Sequence, residues 1–285
     1  MSNAPQMLNE EALDKLVKSI GIPPRPSLLA DVQHEMGGED PDPRRIAQLV
    51  AKDVAMSAAL LKSANSVFFG LKRKAETVEQ AAAFLGLTQV SSLLMGLITR
   101  QAIKAEGPAL SGFWDAATQR SLAMSKMAKA MRACPPDLAH TFGLFCDIGI
   151  PMLMSRFPDY HETLSLARGE FEQLFTDIED QRHGTNHTII GAILARSWGL
   201  SQEVMQAIRS HHDYAVMLES GTPHNVAVLI ALGVLAEKAI QAYQGNLQSP
   251  EWEKGGDQAC DILGIAQHEA EDWCDELALM FNAEH

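Results

Sequence analysis

The chain has 285 residues, a net charge of −13 and 46% hydrophobic residues, enough to fill one large core or two smaller ones. Its longest apolar run, 226–236, is about half of the roughly 20 residues that a bilayer requires, so we expect no membrane span. The first residues lack the charged and apolar regions of a secretory signal. Four cysteines without a CxxC pair argue against a zinc ribbon and fit a reducing cytoplasm.

The charge is unevenly distributed along the chain. Residues 1–105 contain twelve basic and eleven acidic side chains, whereas residues 106–285 contain eleven and twenty-five. The acidic second part would repel a polyanion, so we expect no nucleic-acid partner. This shift, together with the helix-breaking pair Gly107 and Pro108, predicts two parts that meet near residue 105. An N-terminal segment, 1–19, precedes them and holds one helix or a tag remnant.

Hydrophobic residues follow helical spacing throughout the first part, and no alternating segment closed by a tight turn indicates a strand. Ser27 is predicted to cap a helix that ends near Met36, and Thr77 and Thr88 are predicted to cap two helices separated by Gly86. The predicted helices of this part lie at about 10–20, 27–36, 44–50, 53–64, 77–85 and 88–97.

The second part shows the same periodicity in longer segments. Its predicted helices are 113–131, a very apolar 138–154, one or two within 159–182, then 187–198, 202–212 and 223–243, and a pair within 257–281. The sequence therefore predicts an all-α fold, built as a two-part helical bundle.

Four polar side chains interrupt the apolar faces of these predicted helices. Asp147 lies inside an apolar run, where an unpaired carboxylate costs several kcal/mol and must find a partner or a proton. His187 lies on the core stripe of its helix, and His211 and His212 end the next helix on its apolar side. Each could be a satisfied core residue, but imidazole and carboxylate groups from three helices could also converge on a divalent metal. His183 is predicted to be a surface residue.

Several motifs, in the order in which they occur, resemble those of the HDOD family. The segments are IPPRP at 22–26, LLKSANSVFFG at 60–70, TVEQAAAFLGL at 77–87, and the stretches 113–114, 142–149, 186–191, 198–200 and 208–213. The resemblance implies an HDOD-type N-terminal helical subdomain at 20–105. It also implies an HD-like helical bundle with a C-terminal helical extension at 106–285. In the loop of the second segment, Asn65, Ser66 and Gly70 are typical of a partner-recognition loop or, as we favour, of local turn and cap formation.

HDOD proteins resemble the HD phosphohydrolases, including the HD-GYP cyclic-di-GMP phosphodiesterases, whose inward His and Asp side chains hold metal ions. Carried over by this resemblance, Asp147, His187, His211 and His212 keep ligand positions. The remaining ligand positions fall at Arg120, Cys146 and Gly233.

These three substitutions predict a vestigial or partial metal site. Arg120 cannot act as a ligand, Gly233 has no side chain, and a thiolate at Cys146 is disfavoured beside a carboxylate. Arg120 also offers Asp147 an ion pair that needs no metal.

The first functional hypothesis is a non-catalytic signalling or scaffold protein of the bacterial cytoplasm. The resemblance implies partners in two-component, chemotaxis or second-messenger circuits, and a ligand could bind in the old metal pocket. No cofactor is required, although a divalent metal is compatible with the site, and no catalytic residue is assigned. The alternative is a metal-dependent phosphohydrolase acting on a phosphodiester or nucleotide through Asp147, His187, His211 and His212. A third hypothesis, a nucleic-acid regulator, is opposed by the charge.

Overall fold

The structure, a computed structural model, describes residues 20–65, 69, 71–103, 108–246 and 248–282, with the backbone alone for 108–111. Within these ranges every regular element is a helix and no strand occurs. The predicted all-α fold is therefore confirmed. Most of the predicted helix at 10–20, the residues Ser66 and Gly70, and the predicted boundary at Gly107 lie outside the described residues.

The first part contains α1 to α5. These helices are α1 (Ser27–Met36), α2 (Pro43–Val50), α3 (Val54–Ala64), α4 (Val78–Leu85) and α5 (Leu87–Ala102). The side chain of Thr77 caps α4, as predicted, by accepting a hydrogen bond from the Gln80 backbone N–H.

Two of the predicted caps in the first part are wrong. Ser27 is the first helical residue of α1, and Pro26 holds the capping position without a side-chain bond. Likewise Gly86 precedes α5 with φ +80°, so Thr88 is already inside the helix. Asn65 has a local role, because its side-chain amide exchanges two hydrogen bonds with the Ala75 backbone, at 2.7 and 2.9 Å.

The second part contains α6 to α15. These helices are α6 (Pro108–Met131), α7 (Pro136–Phe145), α8 (Gly149–Arg156), α9 (Tyr160–Arg168), α10 (Phe175–His183), α11 (His187–Ser197), α12 (Gln202–Ser210), α13 (His224–Tyr243), α14 (Pro250–Leu263) and α15 (Gln267–Asn282). A short 3₁₀ helix, Tyr214–Leu218, joins α12 to α13. Helix α13 is the central element and packs against α6, α12, α14 and α15.

The predicted helix at 138–154 is instead two helices, α7 and α8, separated by a turn at 146–148. Pro151 explains part of this break, because proline has no N–H to donate within a continuous helix but is tolerated in the first turn of a new one. Similarly, α14 begins at Pro250, seven residues before the predicted start of the last helical pair. The break places Asp147 in a turn between two buried helices.

One hydrophobic core runs through both parts and includes Leu29 and Leu94 together with Phe142 and Trp198. The Trp198 indole N–H donates a 3.0 Å hydrogen bond to the Pro23 carbonyl, which ties the proline-rich entry segment to the second part. The domain boundary near residue 105 stays a prediction.

By length and composition two helical stretches, Pro136–Arg156 and His224–Tyr243, could cross a membrane. About 72% and 67% of their apolar windows are buried inside the bundle. This burial is what core helices of a helical bundle show.

Candidate metal centre

The turn between α7 and α8 brings Asp147 next to three histidines from neighbouring helices. His187 is the first residue of α11, which Asn186 caps by accepting a hydrogen bond from the Ile189 N–H. His211 and His212 directly follow α12. One potential ligand atom from each of the four side chains lies within 4.8 Å of the other three. The structure therefore brings together all four residues that the sequence predicts as metal ligands.

The spacing of three of these atoms suits a shared cation. The Asp147 Oδ1 atom lies 3.2 Å from His211 Nε2 and 3.5 Å from His187 Nε2, and the two Nε2 atoms are 3.3 Å apart. Two ligand atoms that each lie about 2.1 Å from one ion are separated by roughly 3.4 Å in a tetrahedral arrangement.

Each imidazole is oriented by an acceptor at its Nδ1 atom. His187 Nδ1 lies 2.7 Å from Glu179 Oε2, His211 Nδ1 lies 2.8 Å from the Ile208 carbonyl, and His212 Nδ1 lies 2.6 Å from Glu251 Oε2. When Nδ1–H donates to such an acceptor, Nε2 is left as the lone-pair nitrogen. Metal-binding histidines are typically held in this way.

Glu179 is the more deeply buried of the two carboxylate acceptors. Its side chain is fully buried, and it also accepts hydrogen bonds from the Tyr160 hydroxyl and from the His187 backbone N–H. Burial disfavours its charged form, but His187 and Tyr160 outweigh burial and hold its pKa below the ordinary value. A charged carboxylate is thus stabilised behind His187.

The opposite side of Asp147 is occupied by Arg120 from α6. Arg120 Nη2 lies 2.8 Å from Asp147 Oδ2 and 3.1 Å from Glu237 Oε2, while Nη1 donates to Cys146 Sγ at 3.0 Å. The Arg120 side chain is only 9% exposed. The ion pair that the sequence suggests is therefore present, and Glu237 joins it from α13.

Charges in this network stabilise one another. Burial disfavours charge on Arg120, yet Asp147 and Glu237 keep its pKa well above the ordinary value. Burial likewise opposes ionisation of Asp147, but Arg120 and the two histidines hold its pKa well below the ordinary value. Burial raises the pKa of Cys146 to about 12 although Arg120 opposes this shift, so Cys146 carries a protonated thiol, which is a poor metal ligand.

The histidines differ in charge state. Burial disfavours a proton on His187, but Glu179 and Asp147 outweigh burial and raise its pKa to about 10. Burial and the neighbouring His212 lower the pKa of His211 to about 4. His187 is therefore protonated near neutral pH and bridges two carboxylates, so an ion bound at its Nε2 atom would have to displace that proton. His211 is neutral.

The donor set fits one divalent ion. Asp147, His187, His211 and His212 would hold it, and such an ion would supply a Lewis acid and an activated water. A second ion does not fit beside Asp147 Oδ2, because the guanidinium group is there. Gly233 contributes no ligand atom, and a Cβ atom added there would lie 3.2 Å from Phe142 Cε1, so a side chain at this position would require the Phe142 ring to shift.

A cavity of about 670 Å³, counting the part open to solvent, is lined by three of the four candidate ligands, Asp147, His211 and His212. Arg120 and Arg168 contribute charge to its wall, and Phe142 and Ile230 contribute apolar surface. The Gln241 Oε1 atom on this wall is buried and has no hydrogen-bond partner among the described residues. The cavity therefore has the mixed polar and apolar lining of a small-ligand site.

Three supporting glutamates, Glu179, Glu237 and Glu251, are absent from the residues predicted from sequence. A buried histidine needs an acceptor for its N–H, so acidic residues on otherwise apolar faces were the available signal. His183 is not a surface residue: it is partly buried, its ring packs 4.5 Å from Phe157, and its Nε2 lies 2.8 Å from Thr163 Oγ1. It takes no part in the four-residue cluster.

Comparisons with known proteins agree with this fold. The family model of the HDOD domain matches residues 22–214. An uncharacterized protein of Treponema pallidum (strain Nichols) is 26% identical over 194 residues, which are 67% of this chain and 38% of that protein. The chain thus spans well under half the length of this relative.

Two solved structures share the architecture. A protein from Marinobacter aquaeolei VT8, provisionally described as a signal transduction protein, has a TM-score of 0.72 and 24% identity over 94% of this chain and 59% of its own. A protein from Shewanella amazonensis SB2B, provisionally described as a phosphohydrolase, has a TM-score of 0.70 and 21% identity over 95% and 97%. At these identities the structures show the fold.

Proposed function

Because the chain belongs to the HDOD family, we propose that it is a non-catalytic signal-transduction protein that acts through contacts with other signalling proteins. We place it in the bacterial cytoplasm. The observation that carries this proposal is the buried ion pair between Arg120 and Asp147. A guanidinium group is always charged and provides no lone pair, so it replaces a cation structurally and supplies none of its chemistry.

The ion pair favours the loss of hydrolysis for an electrostatic reason. In two-metal phosphoesterases the ions lie about 3.5–4 Å apart and stabilise both the attacking and the leaving oxygen. Here the place for a second ion beside Asp147 Oδ2 holds a positive charge that Glu237 also stabilises. Arg120 cannot activate a water, and its displacement would remove the ion-pair partner of Glu237 and leave Asp147 with its histidine contacts alone.

The test measures bound metal and hydrolysis on the purified full chain supplied with Mn²⁺ or Co²⁺. We expect at most about one equivalent of metal and no turnover of cyclic dinucleotides or of bis(p-nitrophenyl) phosphate. The double variant Arg120→His with Cys146→His returns two nitrogen ligands, so we expect its metal content to rise toward two equivalents. Arg100→His, at an exposed position of α5, is the matched control and should not change the metal content.

A second candidate function, a metal-dependent phosphohydrolase, is favoured by one specific observation. Three imidazoles with anchored Nδ1 atoms each place a potential ligand atom within 4.8 Å of an Asp147 oxygen, as the ligands of a catalytic ion would. Metal-dependent turnover by the unaltered chain that disappears in His187→Ala would establish this function and reject the non-catalytic proposal.

A further inference from the structure

We infer that helix α14, which precedes the last described helix, completes the cation site, with Glu251 as the positioning residue that fixes His212. This inference rests on the proposed function and deepens it. It concerns the four candidate ligands on the Oδ1 side of Asp147, which could hold one cation while Arg120 occupies the other side. Helix α14 lies outside the 22–214 stretch that matches the HDOD domain, so the family match assigns it no part in the site.

The first observation is the environment of the Glu251 carboxylate. Its Oε2 atom lies 2.6 Å from His212 Nδ1 and accepts a hydrogen bond from the Tyr214 hydroxyl, while Oε1 lies 2.7 Å from Lys254 Nζ. The Glu251 and His212 side chains are only 12% and 10% exposed. The carboxylate therefore sets the orientation of His212 and leaves its Nε2 as the available ligand atom.

A second contact from α14, made by Lys254, supports His212 indirectly through Phe175. Lys254 donates hydrogen bonds of 3.1 Å to the backbone carbonyls of Glu170 and Gln173, in the segment that leads into α10. Phe175, the first residue of α10, stacks on the His212 ring at 4.8 Å with an interplanar angle of 18°. Helix α14 thus holds His212 directly through Glu251 and indirectly through Lys254 and Phe175.

The sequence of α14 allows this close approach. A Cβ atom at Gly255 would lie 2.5 Å from Tyr214 Cδ1, so glycine is needed where the helix meets the tyrosine that donates to Glu251. The acidic Glu251 and the glycine one turn later belong to one contact surface.

The test is titration of the metal-free full chain with Co²⁺, followed by visible absorption. Glu251→Ala should weaken Co²⁺ binding by about 10- to 100-fold, the usual effect of removing an acceptor behind a ligand. Its spectrum should match that of His212→Ala, because both changes remove the same nitrogen from the ion. Glu253→Ala, at an exposed position of the same helix, should bind as the unaltered chain does.

A loss of folding is separated from a loss of positioning by Glu251→Gln. Its amide oxygen still accepts from Nδ1–H, so it should fold, keep the spectrum of the unaltered chain and bind Co²⁺ more tightly than Glu251→Ala. Unchanged affinity and spectrum in both Glu251 variants would overturn this inference and leave the non-catalytic proposal unaffected. If the unaltered chain takes up no Co²⁺, the inference is also overturned, but the non-catalytic proposal stands. Hydrolysis by the unaltered chain would reject the non-catalytic proposal but not the inference about Glu251.

Discussion

The two oxygens of Asp147 face different environments. Oδ2 meets Arg120, whose charge is shared with Glu237, while Oδ1 meets the Nε2 atoms of His187 and His211. The first side is a closed network of permanent charges. The second keeps the spacing and the anchored rings of a ligand set.

The two edges of the candidate metal site therefore differ in chemistry: one holds a fixed guanidinium cation, and the other holds the candidate metal ligands. The two edges have separate supports: Glu237 on α13 supports the guanidinium group, whereas Glu179, the Ile208 carbonyl and Glu251 support the three imidazoles. Substitutions that act on one set of supports should therefore leave the other largely unchanged.

The largest effect is expected at the contact between Gly149 of α8 and the His187 backbone of α11, on the side of Asp147 that faces the imidazoles. A Cβ atom at Gly149 would lie 2.8 Å from the Cα atom of His187 and closer still to its carbonyl oxygen. Because backbone atoms cannot move aside as a side chain can, Gly149→Ala should lower the free energy of unfolding by about 3 kcal/mol or more. Urea unfolding measures this change.

Gly169→Ala at the end of α9 is the matched control for this substitution. Its nearest neighbouring atom would be 3.7 Å away, so its free energy of unfolding should stay within about 0.5 kcal/mol of the unaltered chain. If Gly149→Ala were equally mild, α8 and α11 would not be in the tight contact that sets Asp147 beside His187.

Helical periodicity predicted most of this fold because each helix buries one apolar face. It failed at residues 146–148, where apolar residues continue through a turn and the spacing alone cannot distinguish a bend from a helix. Pro151 was the local signal for this break. Ser27 and Thr88 were wrong as caps because Pro26 and the positive φ of Gly86 start their helices instead.

The four candidate ligands could be predicted because each is a polar residue on an apolar face. The pairing of these ligands with their supports could not be predicted, because it depends on how separate helices pack against one another. Glu251 is 39 residues from His212, and Glu237 is 117 residues from Arg120. Only the packing of α13 and α14 brings these carboxylates to the pocket.

The next largest effect concerns His140 on α7, whose buried ring lacks, among the described residues, the Nδ1 acceptor that each pocket histidine has. His140 Nδ1 is buried and has no partner in the described part of the chain, and burial lowers its pKa to about 4. The unfolded chain, with a histidine pKa near 6.5, takes up this proton first as the pH falls. Stability from this residue is thus present above about pH 6.5 and lost toward pH 4, by about 2 kcal/mol between pH 7.5 and pH 5.

Urea unfolding at several pH values in this range measures how steeply the free energy of unfolding falls as the pH is lowered. His140→Leu should flatten the acid loss of stability by about 2 kcal/mol. His268→Gln, at an exposed position of α15, should keep the slope of the unaltered chain. An unchanged slope in His140→Leu would mean that the protonated His140 ring is stabilised in the folded chain, as the carboxylates of Glu179 and Asp147 stabilise His187.

The smallest effect concerns the wall on the arginine side, where Gly233 lies under Phe142. Alanine in the middle of α13 gains about 1 kcal/mol of helix propensity over glycine, but its Cβ would lie 3.2 Å from Phe142 Cε1. The ring is a movable side chain that also packs edge-on to His211 at 6.2 Å, so a shift of a few tenths of an ångström should offset much of the gain. Gly233→Ala should therefore change the free energy of unfolding by less than about 1 kcal/mol. A loss above about 2 kcal/mol would show that Phe142 is as immobile as the His187 backbone, and the two sides of the pocket would then be equally rigid.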